Sequence, residues 1–227
     1  SGQLEDELGI LISHERIYQH IWADKRHGGT LYTHLRQCHK KRKKQYGSRD
    51  KRGQIRNRVS IDERPAIVAE KTRIGDWEID TVIGQNHQGA LVTIVDRVSK
   101  FTLIKKVDSK HAEVVTAATI ILLQPYLDKT LTITADNGKE FAGHETIKEQ
   151  LSANVYFAHP YCSWERGLNE NTNGLIRQYF TKGSSFENIT DDEVEAVMNK
   201  LNHRPRKILK FKTPHTAFFF FFLQEAA

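Results

Sequence analysis

Three carboxylates carry the chemistry that this sequence suggests. Asp80 lies in GDWEIDTVIG, Asp136 closes LTITAD ahead of Asn137-Gly138, and Glu170 lies in SWERGLNENTNGLIRQYF, with 33 residues separating it from Asp136. No Cys or His recurs beside them in a ligand-like pattern. Anionic oxygen without nitrogen or sulfur suits hard divalent cations such as Mg2+ or Mn2+. Two such ions about 4 Å apart can activate an attacking oxygen and steady the leaving oxygen of a phosphodiester. Each acid alone has an ordinary explanation. Asp-Asn-Gly favours a turn, and a single Glu on a helix is most often solvated. The order and spacing of the three together point to metal-dependent phosphoryl chemistry.

These residues need elements that bring them together. Asp76–Ile83, Ala90–Asp96 and Phe101–Val107 read as strands joined by spacers short enough for hairpins, which predicts an antiparallel meander. Helix periodicity follows over His111–Leu127, with an apolar face of Val114, Val115, Ala118, Ile121 and Leu122. A short strand, Leu131–Ala135, ends at Asp136, a helix covers about Lys139–Leu151, and Asn154–Ala158 is the last strand. Ser163 caps a helix running to Phe180, and Thr190 caps another over Asp191–His203. The expected fold is a mixed five-stranded α/β sheet flanked by helices. Period-2 alternation puts Asp76, Glu78 and Asp80 on one face of the first strand. Asp80 is the chosen ligand because apolar Val82-Ile83 follow it, Asp76 and Glu78 read as edge or surface groups, and Glu78 is the competitor. On the Ser163 helix, Leu168, Thr172, Leu175, Ile176, Tyr179 and Phe180 form the docked side, and Glu170, Asn173, Gly174 and Arg177 a polar stripe.

At 227 residues and 38% hydrophobic content the chain suffices for one domain with an appendage, and is globular. Its net charge is +6 and its pI about 9.2. Between Arg36 and Arg58 there are eleven Lys or Arg and one acid, Asp50. A block of that density, with Gly47, Ser48 and Gly53 and no periodicity, reads as a basic linker meeting nucleic acid, with Lys40, Lys41, Arg42, Lys43 and Lys44 neutralising phosphates. Ahead of it, residues 10–25 read as a helix capped by Ser13 with a stripe of Ile17, Tyr18, Ile21 and Trp22, and Leu31–Cys38 as a shorter one. Gly9 and Ile10–Ile12 resemble the turn and second helix of a helix-turn-helix. Two Cys without a CxxC, Cys38 and Cys162, imply neither a zinc site nor a structural disulfide. The polar, acidic first residues do not read as a signal peptide. Ala217–Leu223 is too short to span a bilayer, so a cytoplasmic, nucleoid-associated protein without membrane contact is expected.

Trp77–Asp80 as W-x-x-D, the TADNGKEF run and YCSWERGLNENTNGLIRQYF resemble the catalytic core of retroviral integrases and bacterial DDE transposases, above all the insertion-sequence family numbered thirty. The resemblance extends over about residues 10–217. It implies a ribonuclease H-like fold, Asp80, Asp136 and Glu170 as an acidic triad for two Mg2+ or Mn2+ ions, and DNA cleavage followed by strand transfer at inverted repeats. It also implies double-stranded DNA as partner (transposon ends and target), a homo-oligomer, and N-terminal helix-turn-helix modules. The domains expected are a helical remnant and basic linker over 1–65, the catalytic core over 66–217 and an apolar tail over 218–227 that contains five consecutive Phe. Asn137 and Lys139 are placed to meet a phosphate or base, Asn173 and Arg177 to lie along DNA, and Tyr161 to stack on a base. Arg204, Arg206 and Lys207 read as a backbone-binding patch, Asp96-Arg97 as a structural ion pair. The competing readings are a nuclease of the same fold that only hydrolyses, and a silent DNA-binding derivative.

Overall fold

A computed structural model describes residues 7, 9–35, 55–160 and 162–220. The chain divides into two compact units, residues 1–50 with 205–212, and residues 51–204 with 213–227. This differs from the boundary expected at residue 65.

In the first unit, helix α1 spans His14–Arg26, with the Ser13 hydroxyl accepting from the Arg16 amide at 3.2 Å. Glu15 in the first turn and Lys25-Arg26 in the last complement the helix dipole. The expected stripe is not docked: no residue of α1 is buried, and Tyr18 and Trp22 are exposed. The helix foreseen over Leu31–Cys38 is a 3-10 turn at Leu31–His34, its remainder outside the described residues. So are Lys40, Lys41, Arg42, Lys43 and Lys44, and residues 1–6 and 8 ahead of α1. In the Pro205–Lys212 segment of this unit, Lys207–Leu209 form a 3-10 turn closed by a bond from the Arg206 amide to the Lys212 carbonyl at 3.0 Å.

The second unit is built on one mixed sheet. Its strands are β1 (Val59–Ser60), β2 (Asp76–Ile83), β3 (Ala90–Asp96), β4 (Thr102–Val107), β5 (Thr132–Ala135) and β6 (Asn154–Phe157), in the order β1-β6-β5-β2-β3-β4. The β2-β3-β4 meander is antiparallel, and β5, β6 and β1 add in parallel. The sheet therefore has six strands rather than five. The sixth is a two-residue edge strand, too short to announce itself by alternation. β3, between β2 and the edge strand β4, is buried along its whole length, as a continuous apolar run with helices on both faces must be.

Trp77 and Ile79 of β2 and Ala90, Val92 and Ile94 of β3 join Val115, Ala118, Leu123, Ile147, Leu151 and Phe218 in one core. Val82, Leu91 and Ile104 join Leu175, Ile176, Phe186, Val194 and Leu201 in another. Alternation along β2 thus sends Trp77 and Ile79 to one face and Glu78, Asp80 and Val82 to the other. The short α2 spans Ala66–Glu70. The first face is covered by α3 (Ala112–Leu123) and α4 (His144–Leu151), the second by α5 (Gly167–Ile176) and α6 (Asp191–Asn202). α3 stops where Pro125 cannot continue it and passes into a 3-10 turn. Its buried side is Val115, Thr116, Ala118, Thr119 and Leu123, and the expected Val114 and Ile121 are exposed. α6 has the foreseen cap, reciprocated by Glu193.

The last helix, α7 (Pro214–Phe219), corrects the expected tail. Phe218 is fully buried, stacked on Phe101 with centroids 4.5 Å apart and in contact with Trp77 and Tyr126 at 5.5 Å each. Residue 218 is a core residue. Phe219 and Phe220 are partly exposed, and 221–227 lie outside the described residues.

Candidate active site

The register of the central strands assembles the first two carboxylates. β2 and β5 run parallel with Glu78 opposite Thr134. Two residues further along each strand stand Asp80 and Asp136, so the same step brings both acids to one level at the sheet end. A single guanidinium bridges them: Arg166 Nη1 is 3.5 Å from Asp80 Oδ2, and Nη2 is 3.4 Å from Asp136 Oδ2. Asp136 turns back to accept from the Gly138 amide at 2.7 Å, the side-chain-closed turn that Asp-Asn-Gly favours.

Glu170 arrives on α5, and β2 fixes that helix at two points. The Asn169 backbone N–H donates to Glu78 Oε2 at 3.2 Å, and Asn173 Nδ2 donates to Asp80 Oδ2 at 2.9 Å. Four helical residues rise about 6 Å, and two strand residues advance about 6.6 Å, so the two bonds match. Glu170 sits between them, exposed, one turn before Asn173. The Thr93 hydroxyl, across from Asp80 in the β2-β3 pairing, lies 3.2 Å from both the Asp80 carbonyl and Asn173 Oδ1.

Glu78 is therefore no surface group. It is buried at 2% exposure, paired with Arg97 Nη1 at 3.0 Å and bonded to the α5 backbone. Burial raises its carboxyl above the usual range against the pull of Arg97 and the Asn169 amide. Asp76, also expected near the surface, is buried and held by Arg73 and the Thr132 hydroxyl. Both acids are affordable inside because each has charged and hydrogen-bonding partners. Asp96 and Arg97 do not pair with each other. Asp96 closes its turn through the amides of Gly75, Val98 and Ser99, and Arg97 serves Glu78.

Burial also pushes the Asp80 carboxyl up to about 6, opposed by Arg166 and helped by the charges of Asp136 and Glu140. Glu140 escaped sequence reasoning. It lies in the Lys139–Phe141 3-10 turn that follows Asp136 and accepts from the Thr81 hydroxyl at 3.2 Å. Arg166 was missed as well, although a carboxylate pair in a protein interior demands a counter-charge. His159, in the loop ahead of α5, shapes its approach: the ring lies 2.8 Å from Glu165 and 2.9 Å from Asp62.

The other expected contacts divide. Lys139 is exposed beside Asp136. Asn137 spends its amide on the Ala158 carbonyl and accepts from Arg58. Asn173 serves Asp80, as above. Arg177 turns inward: Nη2 donates to the Ile83 carbonyl at 2.7 Å, Nη1 to the Thr181 carbonyl at 3.3 Å, and the guanidinium lies over Phe186. Arg204 is exposed, with Nη1 3.4 Å from Gln178 Oε1. Arg206 and Lys207 belong to the other unit. Cys162 is a half-buried free thiol, and Tyr161 lies outside the described residues. Among the described residues no three His, Cys, Asp or Glu side chains already form a metal-holding group. The donor set nonetheless fits a hard cation: two anionic carboxylates share one positive group, and a third stands on the adjoining helix.

No family model matches the chain. Over 208 residues, 92% of this chain, it is 50% identical to the transposase for insertion sequence element IS4351 of Bacteroides fragilis, covering 64% of that protein. It is 37% identical over 213 residues to transposase InsI for insertion sequence element IS30A of Escherichia coli K12, covering 90% of this chain and 55% of the relative. The chain thus spans between half and two thirds of the length of these curated relatives. In fold it resembles the catalytic core domain of BIV integrase, at a TM-score of 0.52 and 18% identity over 68% of this chain and all of that one. The resemblance read from the motifs, and the ribonuclease H-like fold it implied, are both borne out.

Proposed function

We propose that this chain, an insertion-sequence transposase relative over nine-tenths of its length, is the catalytic part of a DNA transposase, with Asp80, Asp136 and Glu170 as its acidic triad. The observation that carries the reading is the pair of carboxylates levelled by the β2-β5 register, with α5, the helix that carries Glu170, tied to Asp80 through Asn173. A divalent cation suits this donor set, and the finer reading is two Mg2+ or Mn2+ ions. Bound there, it would supply Lewis-acid activation of a phosphodiester. Asp80, Asp136 and Glu170 would hold it.

The rest of the work falls to the chain's own groups. Asn173 and Thr93 keep Asp80 oriented. Glu78 and Arg97 hold the start of α5, which positions Glu170. A short strand keeps the end of the basic segment beside β6, and that segment and exposed Lys139 would meet phosphates. In strand transfer a DNA 3′-hydroxyl oxygen bonds to phosphorus of the target as the target's own P–O bond breaks. The attacking oxygen gives up its proton and the displaced strand takes one. The partner is double-stranded DNA, ends and target, acted on by a homo-oligomer. The described residues contain no helix long and apolar enough to cross a membrane.

The test is incubation of the chain with labelled end-DNA and Mg2+, resolving nicked from joined products. Asp80→Asn, Asp136→Asn and Glu170→Gln keep size and remove charge, so each should abolish both products while the melting temperature holds. Wild-type turnover in any one of them removes that residue from the triad. Nicks without joined product would favour a hydrolytic nuclease.

A further inference from the structure

Arg166 occupies a singular position. It is the residue between the Ser163–Arg166 3-10 turn and α5, with φ −124° and ψ 36°, outside the helical region. Its side chain is 14% exposed, and its two terminal nitrogens lie near different carboxylates at 3.5 and 3.4 Å. Charge-assisted N–H···O bonds close to about 2.7–2.9 Å, so this bridge is loose. Nε and Nη1 have no hydrogen-bond partner among the described residues although both are buried. A guanidinium committed to a permanent structural pair sits closer, as Arg73 does with Asp76 at 2.9 and 3.1 Å and Arg97 with Glu78 at 3.0 Å.

We propose that Arg166 is an exchangeable counter-cation, which holds Asp80 and Asp136 together in the metal-free protein and is displaced when a divalent ion binds between them. The inference rests on the triad reading above. Without a positive group, two carboxylates at one strand end would repel each other or take up a proton. With Arg166 in place they stay paired, at the cost of competing with the metal. Arg166 is thus a positioning residue that sets the metal affinity. Once displaced, its planar fork, which matches phosphate geometry, is free beside the site.

The experiment needs neither DNA nor turnover. Free Mn2+ is followed by electron paramagnetic resonance during titration of the wild type, Arg166→Gln, Asp80→Asn and Asp136→Asn, with circular dichroism melts on each. Removing a competing charged contact should tighten Mn2+ binding to Arg166→Gln by roughly ten- to a hundredfold. A folded Arg166→Gln with equal or weaker affinity overturns the proposal and makes Arg166 a fixed strut. Should that variant not fold, the wild type supplies the measurement. Arginine modification by phenylglyoxal, mapped by mass spectrometry, should reach Arg166 faster with Mn2+ than without, and an unchanged or slower rate overturns the exchange. If wild-type affinity survives both Asp→Asn changes, the carboxylate site itself is wrong and this inference falls with it. Loss of affinity in those variants with no gain in Arg166→Gln defeats the exchange alone.

Discussion

Replacing Arg177 by Ala separates a fold-holding arginine from a DNA-reading one. The guanidinium reaches back from the end of α5 to the last residue of β2, donating to the Ile83 carbonyl at 2.7 Å. A hydrogen bond from a charged donor is worth about 1.5–3 kcal/mol. The bond to Thr181 at 3.3 Å adds little, and the contact with Phe186 at 5.6 Å adds about 0.5–1 kcal/mol. The total is about 2–4 kcal/mol, which in a domain of this size lowers the melting temperature by roughly 4–16 °C. Arg177→Lys should recover only part, because one ammonium cannot serve two carbonyls in the geometry of a fork. Thermal melts by circular dichroism and DNA anisotropy on the folded fraction measure the two effects side by side. The expected pattern is lost stability with unchanged affinity. An unaltered melt with affinity down tenfold would refute this account and put the guanidinium on DNA.

Further outcomes follow from other residues. Phe218→Ala should cost about 3–5 kcal/mol in denaturant unfolding, whereas Phe220→Ala, 47% exposed, should cost far less. Similar losses at both positions would deny Phe218 its core role. His159 is raised above its ordinary value by Glu165 and Asp62, and Asp62 is lowered by Ser60 and His159. The His contribution is complete below about pH 6.5 and fades as pH rises through the raised value; the Asp contribution is complete above about pH 4 and fades as pH falls through the lowered one. This clasp should therefore be firmest from about pH 4 to 6.5, and NMR titration should show His159 dropping in Asp62→Asn; an unshifted imidazole would show that the ion pair does not form in solution. If residues 40–44 neutralise phosphates, changing Lys40, Lys41, Arg42, Lys43 and Lys44 to Ala should flatten the slope of log K against log salt. An unchanged slope would leave the segment a tether.

The meander was legible because β2, β3 and β4 carry long apolar runs bounded by Gly and short polar spacers, signals local to each segment. The acids stand out in the sequence for a different reason: their order and spacing resemble a motif. What could not be read was depth. Alternation correctly put Asp76, Glu78 and Asp80 on one face, but whether an acid on that face is buried depends on Arg97 and the amide of Asn169, remote in sequence. The α3 face was misplaced for a related reason. Thr116 and Thr119 are buried there, the Thr119 hydroxyl satisfied by the Val115 carbonyl at 2.7 Å, while apolar Ile121 is left outside. Arg177 carries the same charge whether it faces a phosphate or a carbonyl, so sequence alone could not choose its direction.

Phe218 also bears on when the protein can begin to work. Asp80, Asp136 and Glu170 all leave the ribosome before it, and β2 and β5, which position the two Asp, can pair as they emerge. The box of Trp77, Phe101 and Tyr126 nevertheless stays open until residue 218 arrives to fill it. Contacts between residues so far apart in sequence are the slow ones to form. A nascent chain therefore carries its acids on an unfinished core, with apolar surface exposed to solvent and to neighbouring chains. Closure of the core by α7 is then a late step in folding, one that completes the support beneath the three acids only when most of the described chain has been made.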